Sequence, residues 1–407
     1  MPYSILILDV NQNNISAELK LPLKEMQYAV PFDVTNNLGD LIKIHRHEIE
    51  GYILHHLHTE SESGQVWKMD IGNMKLDSTQ QEATGIYNEI IIDLLLLPPP
   101  ETSPRNFKLY YDGIVHQVVT HKILVTVRKD FDNGMVGEKE TEIGMIYMNP
   151  ANNQVAPIEI NLESGSKWAG TKSMFKLGMQ HISEGTDHLL FLLVLLLAAP
   201  MVATKNYWTC VGTTKYSIVR LLKIVTAFTI GHSLTLAFAA SGIIKLPPQP
   251  IEVLIAVSIL VTAIHAIKPI FPNKEIYVAA GFGLIHGLAF ASVLSNLNLD
   301  VERMVLSVLG FNLGIECMQL YIVLLTFPWL LILSNYPTYK WVRIFGGMVG
   351  GIASIAWIVE RISTHSNAVS ILVQYTADHG KYLLLILALF TIANQFIYKL
   401  INPPHSI

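Results

Sequence analysis

Charged residues and cysteines are scarce in this chain, and several well-known signatures are absent from it. Lys, Arg, Asp and Glu make up 15% of the 407 residues, and the formal net charge is -4. There is no Lys/Arg-rich tract, so no nucleic-acid surface is expected. The two cysteines provide neither a disulfide framework nor a CxxC metal motif. The sequence also contains no Walker A motif, no HExxH and, in its apolar stretches, no GxSxG, which excludes a P-loop motor and the common zinc- and serine-protease signatures.

Apolar residues are abundant instead. They make up 51% of the chain, and the mean hydropathy is +0.39 because the second half contains long apolar runs. About 20 such residues are needed to cross a bilayer. We therefore predict that residues 174–402 form a membrane α-helical bundle of about seven transmembrane helices in contact with the lipid bilayer. The expected spans lie at about residues 174–202, 216–241, 250–271, 275–295, 303–333, 339–361 and 380–401.

Residues 1–165 show a different pattern. Short alternating or β-branched runs such as SILILDV, ISAELKLPL and GYILHHLH are separated by Asn, Asp, Gly and Pro, which predicts strands and turns. We expect an all-β soluble domain, a β-sandwich of which the immunoglobulin-like fold is one form. His56 and His58 are expected to alternate onto one strand face, as a solvated polar face or as part of a metal site. Residues 166–173, rich in Gly, Ser and Lys, predict a linker.

The distribution of basic residues predicts the orientation in the membrane. The loops after spans one, three and five, with the chain end, carry nine Lys and Arg, and the remaining loops carry four. By the positive-inside rule the C-terminus is cytoplasmic and residues 1–165 are extracytoplasmic, in the periplasm for a protein of a bacterial inner membrane. Lys167, Lys172 and Lys176 oppose this assignment. An outside domain needs a translocation signal, and MPYSILILDVNQN has no basic leader. A leader ahead of Met1 is therefore expected. The outer domain is also expected to bind an extracytoplasmic protein partner.

Ionisable side chains recur within the first five spans, where each is costly. On a straight helix His181 and His188 share one face, with Glu184 between them. A single histidine in a span is explained by packing, but a set spread over five spans indicates function. Imidazole and carboxylate together suit divalent nickel, cobalt or zinc. The predicted metal ligands are His181, Glu184, Asp187, His188, His232, His286 and Glu316.

Three further polar residues share one face of the third span. Ser258, Thr262 and His265 follow each other at spacings of four and three. The two hydroxyl groups are expected to bond carbonyl groups of their own helix. For His265, an orientation towards the metal ligands and one towards a neighbouring helix are both open. Asn312 shares a face with Glu316 in the fifth span.

Two functions from different classes are compatible with this constellation. In the first, the protein is a permease that passes a metal ion across the bilayer through ligands that exchange with water. In the second, it is an intramembrane zinc-dependent hydrolase of a lipid or peptide, with Glu184 or Glu316 as general base. A metal sensor or assembly factor is a third interpretation.

The first histidine-rich segment resembles a family motif. His181, Asp187 and His188 match the H-x5-D-H motif of the HupE/UreJ family of polytopic membrane proteins. The resemblance covers about residues 170–330 and is nearest to the branch with a strand-rich amino-terminal extension. It implies a secondary transporter whose substrate is nickel or cobalt.

The second motif of that family, FHGxAHGxE, is matched only in part by IHGLAFASV. His286, Gly287 and Ala289 fit the motif. Phe290 stands at the position of its second histidine and Val293 at that of its glutamate. His232, Asn312 and Glu316 are the residues expected to substitute for the two missing ligands.

Overall fold

Two of the alternating runs in the first 165 residues, SILILDV and ISAELKLPL, form strands, as predicted. They are seen in a computed structural model that describes residues 2–36, 38–81, 85–136, 140–149, 152–240, 247–289 and 299–402. The chain divides into two units, residues 1–173 with 297–303 and residues 174–296 with 304–407.

The first unit contains two sheets that share one hydrophobic core. The larger sheet has the order β4-β5-β2-β1-β7-β8-β9, and the smaller has the order β10-β6-β3. Leu6 pairs with Leu19 on one side and with Val125 on the other, and all three are fully buried. The strands are β1 (Ser4–Val10), β2 (Ile15–Pro22), β3 (Leu57–Ser61), β4 (Lys68–Gln81), β5 (Gly85–Leu97), β6 (Asn106–Tyr111), β7 (Lys122–Asp130), β8 (Thr141–Asn149), β9 (Gln154–Val155) and β10 (Ile158–Asn161).

The first unit is strand-rich but not all-β, because it contains the short helix α1 (Leu23–Met26) and the 16-residue helix α2 (Leu41–His56). Ile49 and Ile53, four residues apart, are both buried, so the helical period decides the conformation of GYILHH. His56 therefore ends a helix while His58 lies in β3, and the expected strand face carrying both is wrong. The parallel pairing of β1 with β7 is part of a mixed sheet, and the immunoglobulin-like arrangement is not confirmed.

The second part of the chain is helical. Among the residues that the structure describes, five helices are long and apolar enough to cross a membrane, and a bent pair raises the number to six. The helices are α3 (Lys167–Glu184), α4 (Thr186–Ala198), α5 (Thr214–Ala240), α6 (Pro248–Ile267), α7 (Glu275–Ala289), α8 (Val301–Leu333), α9 (Tyr339–Ser363), α10 (Ala368–Asp378) and α11 (Gly380–Ile401). A hairpin of β11 (Met201–Thr204) and β12 (Tyr207–Val211) follows α4.

The seven-span prediction is confirmed only in part. The predicted span at 275–295 coincides with α7, whose 15 described residues are fewer than a crossing needs. The segment 166–173, expected to be a linker, is helical from Lys167 onwards.

The predicted first span, 174–202, is not one straight helix. It breaks at Gly185, where α3 and α4 meet at an angle of 70°. Gly185 has an extended backbone, and a Cβ atom there would lie 2.6 Å from the carbonyl oxygen of His181. The turn therefore needs a residue without a side chain. The span also ends earlier than predicted, since Pro200 precedes the hairpin.

Two helix pairs in the second unit pack through glycine in the same reciprocal way. On α5 and α7, a Cβ atom at Gly231 would overlap the carbonyl oxygen of Ala280, and one at Gly283 would overlap that of Phe228. On α3 and α8, Gly178 opposes Phe311 and Gly314 opposes Phe175 in the same manner. Small residues of this kind let helix backbones approach closely in membranes.

This packing predicts the effect of enlarging one glycine. Gly283→Val should lower the thermal stability of the purified protein by about 1–3 kcal/mol, since the new side chain meets backbone that cannot rotate away. Gly281→Val is the matched control on the same helix, because a Cβ atom there meets nothing within 4 Å. Thermal unfolding of both variants in detergent measures the difference. Equal losses of stability would contradict the close contact between α5 and α7.

Candidate metal centre

Three histidines from three helices meet inside the second unit. His181 lies in the last turn of α3, His188 lies in the first turn of α4, and His232 lies in the second half of α5. One ligand nitrogen of each lies within 4.8 Å of the others, and the side chains of His188 and His232 are buried. These three of the predicted residues are therefore brought together.

The bend at Gly185 creates this proximity. On a straight helix, residues seven apart are separated by about 10 Å along the axis, although they share a face. The bend brings the rings of His181 and His188 to a centroid distance of 4.7 Å. The sequence pattern predicted that the two residues share a face, but it attributed this relation to a continuous helix.

His286 on α7 adds a fourth ring to the cluster. Its Nδ1 atom lies 3.4 Å from Nε2 of His188, and its side chain is 1% exposed. Phe191 and Phe228 flank the ring at centroid distances of 5.6 and 5.1 Å. The ring is thus enclosed by apolar side chains on the faces away from the cluster.

The tautomer of His188 is set by the preceding residue. Nδ1 of His188 donates a hydrogen bond to Oδ1 of Asp187 at 2.9 Å, and the backbone N–H of His188 donates to the same oxygen atom. The proton of a neutral imidazole then resides on Nδ1, and Nε2 carries a lone pair. A carboxylate in this position orients a metal-binding histidine and raises its basicity.

Asn312 sets the tautomer of His232. The amide nitrogen of Asn312 donates to the carbonyl oxygen of Val308 at 2.7 Å, which fixes the orientation of the amide group. Its Oδ1 atom therefore accepts from Nδ1 of His232 at 3.2 Å. Nε2 of His232 is buried, and it has no hydrogen-bond partner among the residues that the structure describes. A buried lone pair of this kind is available to a cation.

Ser258 sets the tautomer of His286 from the other side. The hydroxyl group of Ser258 donates to the carbonyl oxygen of Ile255 at 2.7 Å, as expected for this residue. Its oxygen atom then accepts from Nε2 of His286 at 3.1 Å, so Nδ1 carries the lone pair. That lone pair faces the one on His188.

Two facing lone pairs repel each other unless a cation lies between them. Two ligand atoms bound at about 2.1 Å to a tetrahedral metal ion are about 3.4 Å apart. The separation of His188 Nε2 and His286 Nδ1 has this value. The ligand nitrogens of His181, His188 and His232 lie within 4.8 Å of one another. Bringing them to the separation found in a tetrahedral site needs a movement of roughly 0.8 Å or less per side chain. Neutral imidazole favours nickel, cobalt, copper or zinc over magnesium and calcium.

The three predicted carboxylate ligands form hydrogen bonds with protein groups. The nearest, Asp187, uses Oδ1 to orient His188. Glu184 accepts from Gln180 at 2.8 Å on the exposed side of α3, and Glu316 accepts from Thr226 at 3.0 Å. Within the described residues, neither Glu184 nor Glu316 belongs to the group whose ligand atoms lie within 4.8 Å. Phe290 and Val293 of the partial second motif lie outside the described residues.

The roles of Asn312 and Ser258 were not recognised from the sequence. Asn312 was predicted to be a substitute metal ligand, whereas its amide oxygen accepts a hydrogen bond from the imidazole of His232. Ser258 was expected only to bond its own helix, and it also contacts His286. An amide or hydroxyl group inside an apolar helix is the signal that identifies such residues, because each must find a hydrogen-bond partner.

Comparison with known proteins agrees with this geometry. The protein-family model described as HupE / UreJ protein matches residues 159–361, which include all four histidines of the cluster. No curated protein and no solved structure matches the chain. Over residues 159–361 the chain belongs to the HupE/UreJ family, and it is an integral membrane protein with a strand-rich amino-terminal extension.

Proposed function

We propose that this protein is a secondary transporter of a divalent transition-metal ion, with nickel or cobalt as its substrate. The observation that carries the proposal is the 3.4 Å separation of Nε2 of His188 and Nδ1 of His286, beside His181 and His232. Burying an unpaired polar group costs about 2–7 kcal/mol. A cluster of them at membrane depth is therefore a sign of an ion pathway.

The charge balance of the centre supports transport rather than permanent storage. The imidazole rings are neutral in the tautomers described, and Asp187 is the carboxylate that contacts the cluster. A bound divalent ion therefore leaves a net positive charge in a buried site, which is unfavourable. An ion held in this way can be released, as passage through a membrane requires.

The helix packing offers a means of movement. The pairs α3 with α8 and α5 with α7 make the same reciprocal glycine contact, and His181 and His286 each lie three residues after such a glycine. Transporters built from repeated units change access to a central site by moving one unit against the other. We infer that the two pairs move in this manner around the histidines.

The proposed orientation places residues 1–165 outside the cytoplasm and the C-terminus inside, in a bacterial inner membrane. This follows from the excess of basic residues in one set of loops. It requires an odd number of crossings, and the five long apolar helices, the bent pair counted as one crossing, and α7 together provide seven. A protein partner for the extracytoplasmic unit belongs to the same proposal.

An intramembrane zinc-dependent hydrolase is the second candidate. It is favoured by the hydrogen bond from His188 to Asp187, since catalytic zinc sites use three protein ligands supported by such carboxylates. Glu184 and Glu316, the predicted general bases, bond Gln180 and Thr226 instead. Transport is therefore the function that this geometry favours.

Removing the charge of Asp187 tests the role of the centre. Asp187→Asn keeps a hydrogen-bond acceptor for His188 but removes the negative charge, so the affinity for Ni²⁺ should fall about 10- to 100-fold. Equilibrium dialysis of the purified protein measures the affinity, and uptake into proteoliposomes measures the activity.

Two further carboxylates serve as comparisons for that variant. Asp70→Asn makes the same chemical change on β4 of the first unit, where the carboxylate pairs with Lys68, and should leave both readouts unchanged. Glu184→Gln decides whether Glu184 is a ligand, and its position facing Gln180 predicts less than about a twofold change in affinity. Full nickel affinity in Asp187→Asn would refute the assignment of the centre.

Accumulation of metal in sealed vesicles separates the two candidate functions. A transporter should carry Ni²⁺ or Co²⁺ into proteoliposomes over many turnovers, and His232→Ala should abolish this while the protein still folds. A hydrolase should instead retain one zinc ion through dialysis and show no accumulation. The second pattern would replace the transport proposal.

A further inference from the structure

A row of buried polar side chains leads away from the histidine cluster along α6. Ser258, Thr262 and His265 are 1%, 3% and 3% exposed, and they lie on one face as their spacing predicts. Ser258 contacts His286 at one end of the row, and His265 approaches Glu275 at the other. Seven residues of helix span about 10 Å. Glu275 therefore lies roughly that far from the cluster.

Glu275 forms a buried ion pair that the sequence analysis did not identify. Nη2 of Arg220 donates to its Oε1 atom at 2.5 Å, and the two side chains are only 11% and 8% exposed. Both charges lie within the helical unit, where an ion pair is expensive to bury. Functional reasons for such pairs are common in membrane proteins.

A cavity connects this ion pair with the surroundings of the cluster. It has a volume of about 20 Å³ and is lined by Arg220, Glu275, His265, Thr262 and Phe191, among others. That volume accommodates one water molecule or one ion of similar size. Phe191 also packs against His286 at 5.6 Å between ring centroids. Phe191 thus contacts both the cavity and one histidine of the cluster.

His265 accepts hydrogen bonds at Nδ1 in this arrangement, so it offers no lone pair to a metal ion. The backbone N–H groups of Ile270 and Phe271 donate to its Nδ1 atom at 3.2 and 3.4 Å. The proton of the neutral ring is then on Nε2, which points towards Oε1 of Glu275 at 3.6 Å. The carboxylate is therefore the group that binds a cation here, and the guanidinium group of Arg220 is the cation that it holds.

Arg220 has other partners if it leaves the carboxylate. Its Nη1 atom already donates to the carbonyl oxygen of Met201 at 2.7 Å, and its guanidinium carbon lies 5.9 Å from the ring centre of Trp208. Both residues belong to the hairpin of β11 and β12. A guanidinium group released from Glu275 would keep a carbonyl and an aromatic partner there.

We propose that Glu275 is a second cation station on the metal pathway, and that Arg220 occupies it as a tethered cation until a metal ion arrives from the histidine cluster. The inference rests on the proposed transport function and extends it to the hairpin end of the bundle. In this scheme the metal ion displaces Arg220 from the carboxylate, and the return of Arg220 promotes release of the ion.

Neutralising the pair distinguishes this role from a structural one. Glu275→Gln should bind Ni²⁺ at the histidine cluster as the wild type does but lose uptake by about tenfold or more, a cost of roughly 1.4 kcal/mol. The double variant Arg220→Met, Glu275→Gln leaves no unpaired charge, so a merely structural ion pair predicts restored uptake in it. We expect the double variant to stay inactive while its nickel affinity is unchanged. Wild-type uptake in the double variant would overturn the proposal.

Arg220→Met alone tests the station directly. Without the tethered cation, Glu275 should bind a second Ni²⁺ ion, detected by equilibrium dialysis as a rise from one to two ions per chain. This second ion should be absent from the double variant. It should remain bound when His188→Ala is added to Arg220→Met. A folded Arg220→Met protein that binds one ion would overturn the proposal, and the double variant decides the question if Arg220→Met does not fold.

The failure of the transport proposal would look different. His188→Ala should remove the first nickel ion and abolish uptake. If that variant keeps both binding and uptake, the histidine centre itself is wrong, whatever the result for Glu275.

Discussion

The hydrogen bonds on the outer side of each imidazole are the interactions on which the candidate centre depends. Asp187, Asn312 and Ser258 each accept a hydrogen bond from one histidine, so the second nitrogen atom of each ring presents a lone pair. For His188 and His286 these lone pairs face each other. A cation shared between the rings removes the repulsion between two such lone pairs. Affinity for a cation is thus built in through neutral ligands.

Backbone features without side chains bring these rings together. The bend at Gly185 converts a separation of two helical turns into ring contact between His181 and His188. Glycine contacts between α5 and α7 place His232 and His286 on helices whose backbones nearly touch. The same reciprocal contact recurs between α3 and α8. The site is therefore positioned by close helix packing.

The sequence predicted the class of fold and the identity of the histidines, because apolar runs and ionisable residues within them are local signals. It did not predict the bend, since periodicity describes a straight helix and Gly185 breaks it. The end of the helix α2 was predicted to be a strand, because a short apolar run such as GYIL fits both a strand and a helix. Glu184 bonds Gln180, which lies four residues earlier on the same helix and is therefore a local partner. The partner of Glu316 is Thr226, 90 residues away in sequence, and only tertiary packing determines that contact. Glu275 was missed because its partner, Arg220, lies 55 residues away in sequence.

X-ray absorption spectroscopy of the cobalt-loaded protein tests the central claim most directly, because it reports the ligands of the bound ion. The account predicts a first shell dominated by nitrogen atoms, with the outer-shell scattering of at least three imidazole rings and loss of one ring in His188→Ala. A first shell made only of oxygen atoms, without imidazole scattering, would contradict it. In that case the histidine cluster is a packing feature, and the metal pathway lies elsewhere in the bundle.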